Sequence, residues 1–454
     1  MKELLQKYDR PGPRYTSYPT APEWTTDVGE ANFWAAIERG NHKKTPLSLY
    51  VHLPFCEEHC TFCGCSTVIT KKRAVTIPYL AHLFKEIDLI ADQVDTSRPV
   101  IQLHWGGGTP TYLTTNEIQS LMQKIQSRFQ FSDDAEVSVE VDPRVTTLEQ
   151  LTAMRKLGVN RISMGVQDFN PKVQEAVNRI QPESQVRQMI EWCRNLGFQS
   201  INTDLIYGLP YQTVESFADT VSKLIAMQPD RVALFNFAFV PWMKRQQQSM
   251  DPNTLPTPAD KLQIFCDAIQ SFTDADYLFI GMDHFAKATD EMSQALQNRS
   301  LARNFQGYTT RMDKADMISF GITAISDIDG DYFQNKKVLT RYYSDLDSGH
   351  LAIERGKICS SDDLLRRDLI MDLFCNTHIH KSRIEKAHQI QFDNYFTNEL
   401  HDLQSFIDDG LVEVTQDAIT VTKRGRLLIR NIGMVFDKYL RSKASSPQRF
   451  SRTI

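Results

Sequence analysis

Four thiols fall within ten residues, in Cys56-Glu57-Glu58-His59-Cys60-Thr61-Phe62-Cys63-Gly64-Cys65. Cysteines spaced C-x3-C-x2-C can hold three irons of a 4Fe-4S cluster as thiolates and leave the fourth iron open to another ligand. Zinc is the rival reading. It wants four tetrahedral ligands, commonly as two separated pairs, and no second pair follows downstream. Cys65 stands one glycine away from Cys63, which makes joint chelation of one ion less usual, and His59 sits on the same tight loop as a substitute ligand. The spacing therefore favours a cluster. The remaining cysteines, Cys193, Cys266, Cys359 and Cys375, are expected to be free buried thiols.

A cluster loop needs a rigid support, and the apolar run Leu47-Ser48-Leu49-Tyr50-Val51-His52-Leu53 leads into it as a β-strand. Further β-rich runs follow at 100–105, 136–141, 161–166, 201–207, 231–237 and 277–282. Amphipathic stretches lie between most of them, for example at 77–87, 117–129 and 148–157. Right-handed βαβ crossovers imply parallel strands, and so many units favour an α/β fold, a partial or complete TIM-like barrel with its chemistry at strand C-termini. A chain of 454 residues exceeds what one core usually supports. The expected division is an N-terminal arm (1–45), the barrel (46–350) and a mainly helical, winged-helix-like domain (351–454). In the last, Ser361-Asp362-Asp363 is read as an N-cap, and strands at 411–414 and 418–421 flank Thr415-Gln416-Asp417. A winged helix sometimes binds DNA, but a helical cap packed on the barrel explains the same pattern.

Composition narrows the partners. With 41% hydrophobic residues, 24% charged residues and a net charge of -5, nothing marks a nucleic-acid binder, so any anionic ligand must meet local cations. No apolar stretch approaches the ~18 residues of a membrane span, and the N-terminus lacks a signal-peptide core, so a cytoplasmic location is expected.

Several polar residues sit at expected strand ends. Gly106-Gly107-Gly108 would let backbone approach a ligand without a Cβ in the way. Glu140, at the end of the third strand, could accept hydrogen bonds from a ribose or an ammonium, or simply be solvated. Gln167 and Asp204 lie among apolar residues, so each should bury a contact or face the barrel mouth. Arg179 alone reads as a helix-surface charge, and Lys71-Lys72-Arg73 as an exposed run.

The C-x3-C-x-F-C pattern resembles the signature of the radical S-adenosylmethionine (SAM) superfamily, and Cys63-Gly64-Cys65 resembles the extension of the oxygen-independent coproporphyrinogen III dehydrogenase family. The likeness covers nearly the whole chain. It includes the segment from Tyr8-Asp9-Arg10-Pro11 to Tyr18-Pro19-Thr20, Leu103-His104-Trp105 with the glycines and Thr109-Pro110-Thr111, Glu140-Val141-Asp142-Pro143-Arg144, Val177-Asn178-Arg179, Gly281-Met282-Asp283-His284-Phe285 and the tail Phe450-Ser451-Arg452-Thr453-Ile454. The resemblance implies a barrel of the radical SAM type, a 4Fe-4S cluster on Cys56, Cys60 and Cys63, and two bound SAM molecules. Tyr50, Gly107, Glu140, Ala238 and Ile325 match contacts to the SAM on the cluster; Phe62, Gly108, Thr109, Gln167, Arg179 and Asp204 match contacts to the second. Cys65 then lies outside iron's first shell and takes a catalytic role.

The implied reaction is oxidative decarboxylation of two propionates of coproporphyrinogen III to vinyl groups, giving protoporphyrinogen IX in anaerobic haem synthesis. It needs an electron donor for the cluster and a final acceptor, and the family implies a monomer. Four carboxylates call for cations, with Arg14, Arg144, Arg303 and Arg311 as candidates. Arg14, in a Pro- and Tyr-rich arm that could fold over the barrel mouth, is expected to hold a propionate. One run departs from the family: Asn-Tyr-Ala-His becomes Asn236-Phe237-Ala238-Phe239, without the hydroxyl and imidazole. The alternatives are a paralogue acting on another tetrapyrrole and a haem-binding chaperone on the same fold. Cys65 and the long N-terminal motif argue against the chaperone.

Overall fold

A computed structural model describes residues 2–310 and 315–442. Alternating β-rich and amphipathic segments fold into one twelve-stranded sheet with helices packed on it. Its strands are β1 (Leu47–Leu53), β2 (Val100–Gly107), β3 (Phe131–Val141), β4 (Arg161–Gln167), β5 (Ser200–Tyr207) and β6 (Arg231–Asn236). They are followed by β7 (Tyr277–Gly281), β8 (His284–Lys287), β9 (Asp316–Phe320), β10 (Ile325–Ile328), β11 (Asp331–Asn335) and β12 (Ile353–Lys357). The spatial order is β12-β11-β10-β9-β1-β2-β3-β4-β5-β6-β8-β7. The seven strands from β9 to β6 are parallel, so their C-terminal ends share one rim.

Crossover helices return the chain between strands. Those at Thr115–Arg128, Leu148–Lys156 and Val214–Met227 start at capping boxes, Thr114 with Glu117, Thr147 with Gln150 and Thr213 with Ser216, each pair satisfying two otherwise orphaned backbone N–H groups. Leu49, Val51, Leu103, Trp105, Val139 and Ile162 are fully or almost fully buried beneath these helices, as expected for parallel strands covered on their faces.

The sequence expectation fails at three places. The run at 277–282 does not join the parallel set: β7 pairs antiparallel with β8 across a tight turn, where Gly281 (φ 148°) and Met282 (φ 53°) adopt left-handed backbone. The sheet extends through β12 to Lys357, past residue 350, because β12 pairs with β11. The N-cap of the helix Ser361–Asn376 is Ser360, whose hydroxyl accepts from the Asp363 N–H, so Ser361 to Asp363 form its first turn. Cys266 and Cys359 are also only half-buried, whereas Cys193 and Cys375 are buried.

Beyond the sheet the chain is mainly helical, with a small antiparallel sheet of His378–His380, Ala418–Val421 and Val412–Val414. Its core includes Leu369, Leu373, Phe374, Phe392, Phe406 and Ile432, and it takes in Tyr8, Tyr15 and Tyr18 from the N-terminal arm. Tyr15 donates to Asp437 (2.9 Å), and Tyr8 stacks on Phe406 with ring centroids 4.4 Å apart. The arm is thereby fixed between the helical region and the sheet rim. Among the described residues no helix is long and apolar enough to cross a membrane. Arg311 and the tail from 450 to 454 lie outside the described residues.

Candidate functional site

β1 ends at the loop that carries the cysteines, and a short parallel ladder of Phe55–Cys56 with Val68–Ile69 clasps the loop shut. The Thr70 N–H donates to the Cys56 carbonyl (2.9 Å) and the Cys63 N–H to the Cys60 carbonyl (3.0 Å). The segment after β6 straps the other side: Gln246 donates to the Cys63 carbonyl (2.7 Å) and Lys244 to the Gly64 carbonyl (2.6 Å). Cys56 lies against Thr109 (Sγ to Oγ1 3.3 Å), which places the cluster loop directly over the end of β2.

The thiols sit in a cationic setting. Cys60 Sγ is 3.7 Å from Arg144 Nη2 and 3.8 Å from Arg179 Nη1. Both arginines also hold Asp142, at 2.7 and 3.1 Å; burial would raise that carboxyl, but the guanidinium of Arg179, with Arg144, keeps it below its ordinary range. A hydrogen bond from exposed Cys65 lowers the Cys63 thiol, and the same bond raises Cys65. Cys56 is pushed up to about 11 by burial, and charge on Cys63 or Cys60 would raise it further. Among the described residues no three Cys, His, Asp or Glu side chains converge to hold a single metal ion; the three thiols line the loop instead.

Beneath the loop, neighbouring strands bring four polar side chains into one network. Register sets Tyr50 of β1 beside His104 of β2, with rings stacked at 5.9 Å. His52 Nε2 faces the Ser66 carbonyl at 3.0 Å, and a carbonyl can only accept, so Nε2 carries the proton and Nδ1 accepts from Tyr50 Oη at 3.1 Å. Burial lowers the pKa of His52, in keeping with this neutral form. Glu140 faces His104 Nε2 and accepts from the Gly107 N–H, both at 3.2 Å. Desolvation would raise Glu140, but the His104 bond holds it below the usual carboxylate value.

The three glycines also serve the packing of this network. A Cβ on Gly106 would stand 2.8 Å from Glu140 Oε1, one on Gly107 2.6 Å from the His52 ring, and one on Gly108 2.6 Å from the Pro54 backbone. Backbone cannot yield as a flexible side chain can, so Gly108→Ala should displace the cluster loop and cost about 1–3 kcal/mol. Chemical denaturation and iron retention during gel filtration would measure it; unchanged values for both would show that the loop has room.

Gln167 and Arg179 meet at Gly165. Gln167 takes a left-handed backbone (φ 67°) and Arg179 Nη2 donates to the Gly165 carbonyl at 2.7 Å. Two of their buried atoms, Gln167 Oε1 and Arg179 Nε, have no hydrogen-bond partner among the described residues. Arg179 is thus buried beside a thiol, and the surface-charge reading of that residue alone is wrong. Asp204 lies opposite Gly165 across β4 and β5. Burial first, and then repulsion from Glu140, raise it to about 7 against a hydrogen bond from Asn202. Ile325 joins through β9: Ser319 pairs with Tyr50 and its hydroxyl donates to the Ile325 carbonyl at 2.5 Å. Phe62 packs into an apolar cluster with Val177, Leu209, Phe237 and Phe239.

Phe237, Ala238 and Phe239 form, on their other side, one wall of a cavity of about 480 Å³ between the sheet rim, the arm and the helical region. Five cations line it, Arg14, Lys261, Arg303, Arg426 and Arg430, against two carboxylates, Asp9 and Asp283. Among the described residues Arg303 Nε and Arg426 Nε are buried without a hydrogen-bond partner, and burial lowers the pKa of Arg426 and Arg430. Burial would raise Asp283, but adjacent His284 (2.5 Å), with Arg303 and Arg14, holds it at about 2. Five cations against two carboxylates leave an excess of positive charge in a desolvated site, so the cavity is suited to an anion.

Of the sequence candidates for carboxylate binding, Arg14 and Arg303 line this cavity, and Arg14 donates to the Asn236 carbonyl at 2.9 Å. Arg144 does not; it is committed to Asp142 and the cluster loop. Lys71, Lys72 and Arg73 are exposed, as expected, with Arg73 paired to Glu57 and lying over the Tyr112 ring at 4.3 Å. Lys261, Arg426 and Arg430 were missed. The four-residue spacing of Arg426 and Arg430 was a signal, but nothing local says which cavity they reach. His52 and His104 were missed as well, because their contact depends on the register of β1 against β2.

Comparison with known proteins gives consistent matches. Residues 50–224 match the Radical SAM superfamily and residues 359–428 match the HemN C-terminal domain. An oxygen-independent coproporphyrinogen III oxidase of Synechocystis sp. is 47% identical over 100% of this chain and 97% of its own length. Its counterpart from Escherichia coli is 47% identical over 99% of this chain and 98% of its own. The solved structure of coproporphyrinogen III oxidase (HemN) from Escherichia coli, described as a radical SAM enzyme, matches with a TM-score of 0.93 and 45% identity, covering 97% of this chain and 99% of that one.

Proposed function

Because the chain belongs to the oxygen-independent coproporphyrinogen III oxidase family of radical SAM enzymes, we propose that it converts two propionates of coproporphyrinogen III to vinyl groups, giving protoporphyrinogen IX. Each side chain loses one hydrogen atom, carbon dioxide and one electron. The observation that carries this reading is the wall shared between the cluster loop and the cation-lined cavity, Phe62 on one side and Phe237 to Phe239 on the other. It also accounts for the departure from the family pattern: Phe237 and Phe239 supply apolar wall, while the charges for carboxylates stand elsewhere in the cavity.

A 4Fe-4S cluster with SAM supplies, when bound, a carbon-centred radical able to remove hydrogen from an unactivated position. The donor set fits it: three thiols on one loop, Arg144 and Arg179 as countercharges to Cys60, and unpartnered Gln167 Oε1 and Arg179 Nε beside them. We assign Cys56, Cys60 and Cys63 to the cluster and Cys65 to a catalytic role outside iron's first shell. Tyr50, Gly107, Glu140, Ala238 and Ile325 hold one SAM. Phe62, Gly108, Thr109, Gln167, Arg179 and Asp204 hold a second. Glu140 orients its ligand as an ionised acceptor fixed by His104, and the cavity cations fix the propionates so that one carbon chain faces the cluster side. The enzyme works as a cytoplasmic monomer with a separate electron donor and final acceptor.

Asp204 gives the SAM assignment a pH signature. With its carboxyl at about 7, a sulfonium or ammonium beside it favours the ionised form. The affinity of the cluster-loaded protein for SAM should therefore fall as pH drops below about 7, by up to about tenfold per unit. Calorimetry across pH 5.5 to 8 would read this, and Asp204→Asn should flatten the profile; an identical slope in the variant removes Asp204 from the contact. The substrate assignment is tested with the tetraester of coproporphyrinogen III, which keeps the ring and loses the charges. The free acid should yield vinyl product and the ester should neither bind nor react, whereas equal turnover of both would overturn the role of the cations.

A further inference from the structure

Asp283 is a carboxylate in a cavity dominated by cations. It stands in the tight turn between β7 and β8, and its backbone carbonyl accepts from the Leu234 N–H of β6 at 2.6 Å, which pins the turn to the cavity wall. One side-chain oxygen, Oδ1, accepts from His284 Nδ1 at 2.5 Å. The imidazole is itself held edge-on to Phe235 and Tyr308, with ring centroids 6.1 and 5.3 Å apart. The other oxygen, Oδ2, has no hydrogen-bond partner among the described residues, and the side chain keeps 25% of its surface open. A carboxylate present only to offset cations would pair with one. Arg14 and Arg303 are near enough to stabilise its charge, yet neither forms an ion pair with it among the described residues.

Coproporphyrinogen III with its propionates ionised carries no N–H or O–H donor except the four pyrrole N–H groups at the ring centre, and an ionised carboxylate can only accept. A carboxylate facing this ligand therefore repels the rim and can bond only the pyrroles. In the porphyrinogen the bridging carbons are tetrahedral, so the pyrrole rings tilt and several N–H groups can point to one face of the macrocycle. In the oxidised, planar porphyrin two inner N–H groups remain, both in the ring plane and directed at the other ring nitrogens.

We propose that Asp283 accepts hydrogen bonds from the pyrrole N–H groups and thereby selects the reduced porphyrinogen over the porphyrin. The inference rests on the assignment of coproporphyrinogen III as substrate. Asp283 is then a specificity-determining residue and His284 the residue that orients it. The ring centre lies over the β7–β8 turn, and the propionates spread outward to the cations of the cavity. A site built around such an acceptor rejects the analogue that cannot supply the donors, because the carboxylate is left unpaired against a ring without N–H groups to offer.

The test titrates cluster-loaded protein anaerobically, without reductant, with coproporphyrin III followed by its absorbance, and measures coproporphyrinogen III by competition. The two ligands carry the same propionates and differ in the oxidation state of the ring. Wild type should hold the porphyrinogen at least about tenfold more tightly than the porphyrin. Asp283→Asn keeps the shape and removes the charge. It should cut that ratio about tenfold, while porphyrin binding stays equal or tightens because a repulsive charge is gone. Arg303→Met should instead weaken both ligands by the same factor, since both carry the carboxylates. Circular dichroism and iron content check that each variant is folded. Equal affinity of wild type for the two ligands would overturn the proposal, and that measurement needs no variant. An unchanged ratio in Asp283→Asn would overturn it as well, whether both affinities hold or both fall together, the latter making Asp283 a support of the cavity. Wild-type protein that binds neither tetrapyrrole instead defeats the substrate assignment, a failure visible before any variant is compared.

Discussion

Cys60→Ser protein is expected to lose cluster iron and sulfide and to drop SAM cleavage by more than about a thousandfold, because a hydroxyl does not replace a thiolate on a soft cluster. Cys60 is the most informative of the three proposed ligands, since it is buried and both Arg144 and Arg179 face its sulfur. Without an anionic partner there, the two guanidinium groups share Asp142, and Arg144 also lies 3.9 Å from Glu58. Cys65→Ser should behave differently. It is exposed, it bonds to Cys63, and its variant should retain iron and SAM cleavage while making less vinyl product. Iron and sulfide assays beside deoxyadenosine and vinyl yields separate the cases. Full iron in Cys60→Ser would remove that residue from the cluster, and cluster loss in Cys65→Ser would make Cys65 structural.

Arg303→Met is expected to raise the KM for coproporphyrinogen III by about a hundredfold or more. Removing one partner of a desolvated, hydrogen-bonded charge pair costs about 2–5 kcal/mol. The Arg303 guanidinium covers the Tyr308 ring at 5.0 Å, its Nη1 lies 3.2 Å from the Met282 sulfur, and its Nε is unpartnered. No carboxylate is bonded to it among the described residues, so substrate would supply the countercharge. A separate signature follows. Removing one of five cations that face two carboxylates should leave the melting temperature of the free protein nearly unchanged, even as substrate affinity collapses. A fall in melting temperature with unchanged KM would give Arg303 a structural role instead. SAM cleavage without substrate should be unaffected.

Much of this site was legible because its pieces are local in sequence. The strand Leu47–Leu53 runs into the cysteine loop without interruption, and alternating β and amphipathic segments determine where strand C-termini fall. What escaped was non-local. β9 enters the sheet beside β1 from more than 260 positions downstream, and no periodicity near Asp316 announces that neighbour. The same holds for the cavity, whose cations come from the arm, the sheet rim and the helical region. Arg144 shows a different failure: its partner Asp142 stood two residues away, but whether an arginine spends its charge on a neighbour or offers it to a ligand depends on geometry. Gly106 to Gly108 stood out in the sequence as a run without Cβ atoms, but that Glu140, His52 and Pro54 crowd them depends on the fold.

The central claim is that cluster, SAM and cation cavity form one catalytic site, and anaerobic turnover tests it most directly. Protein reconstituted to full iron and sulfide is mixed with SAM, a reductant, an electron acceptor and coproporphyrinogen III, and deoxyadenosine, carbon dioxide and vinyl product are counted together. All three are expected to form, with one carbon dioxide released per vinyl group. Fully loaded protein that forms no deoxyadenosine, or forms it without carbon dioxide and vinyl product, would contradict it.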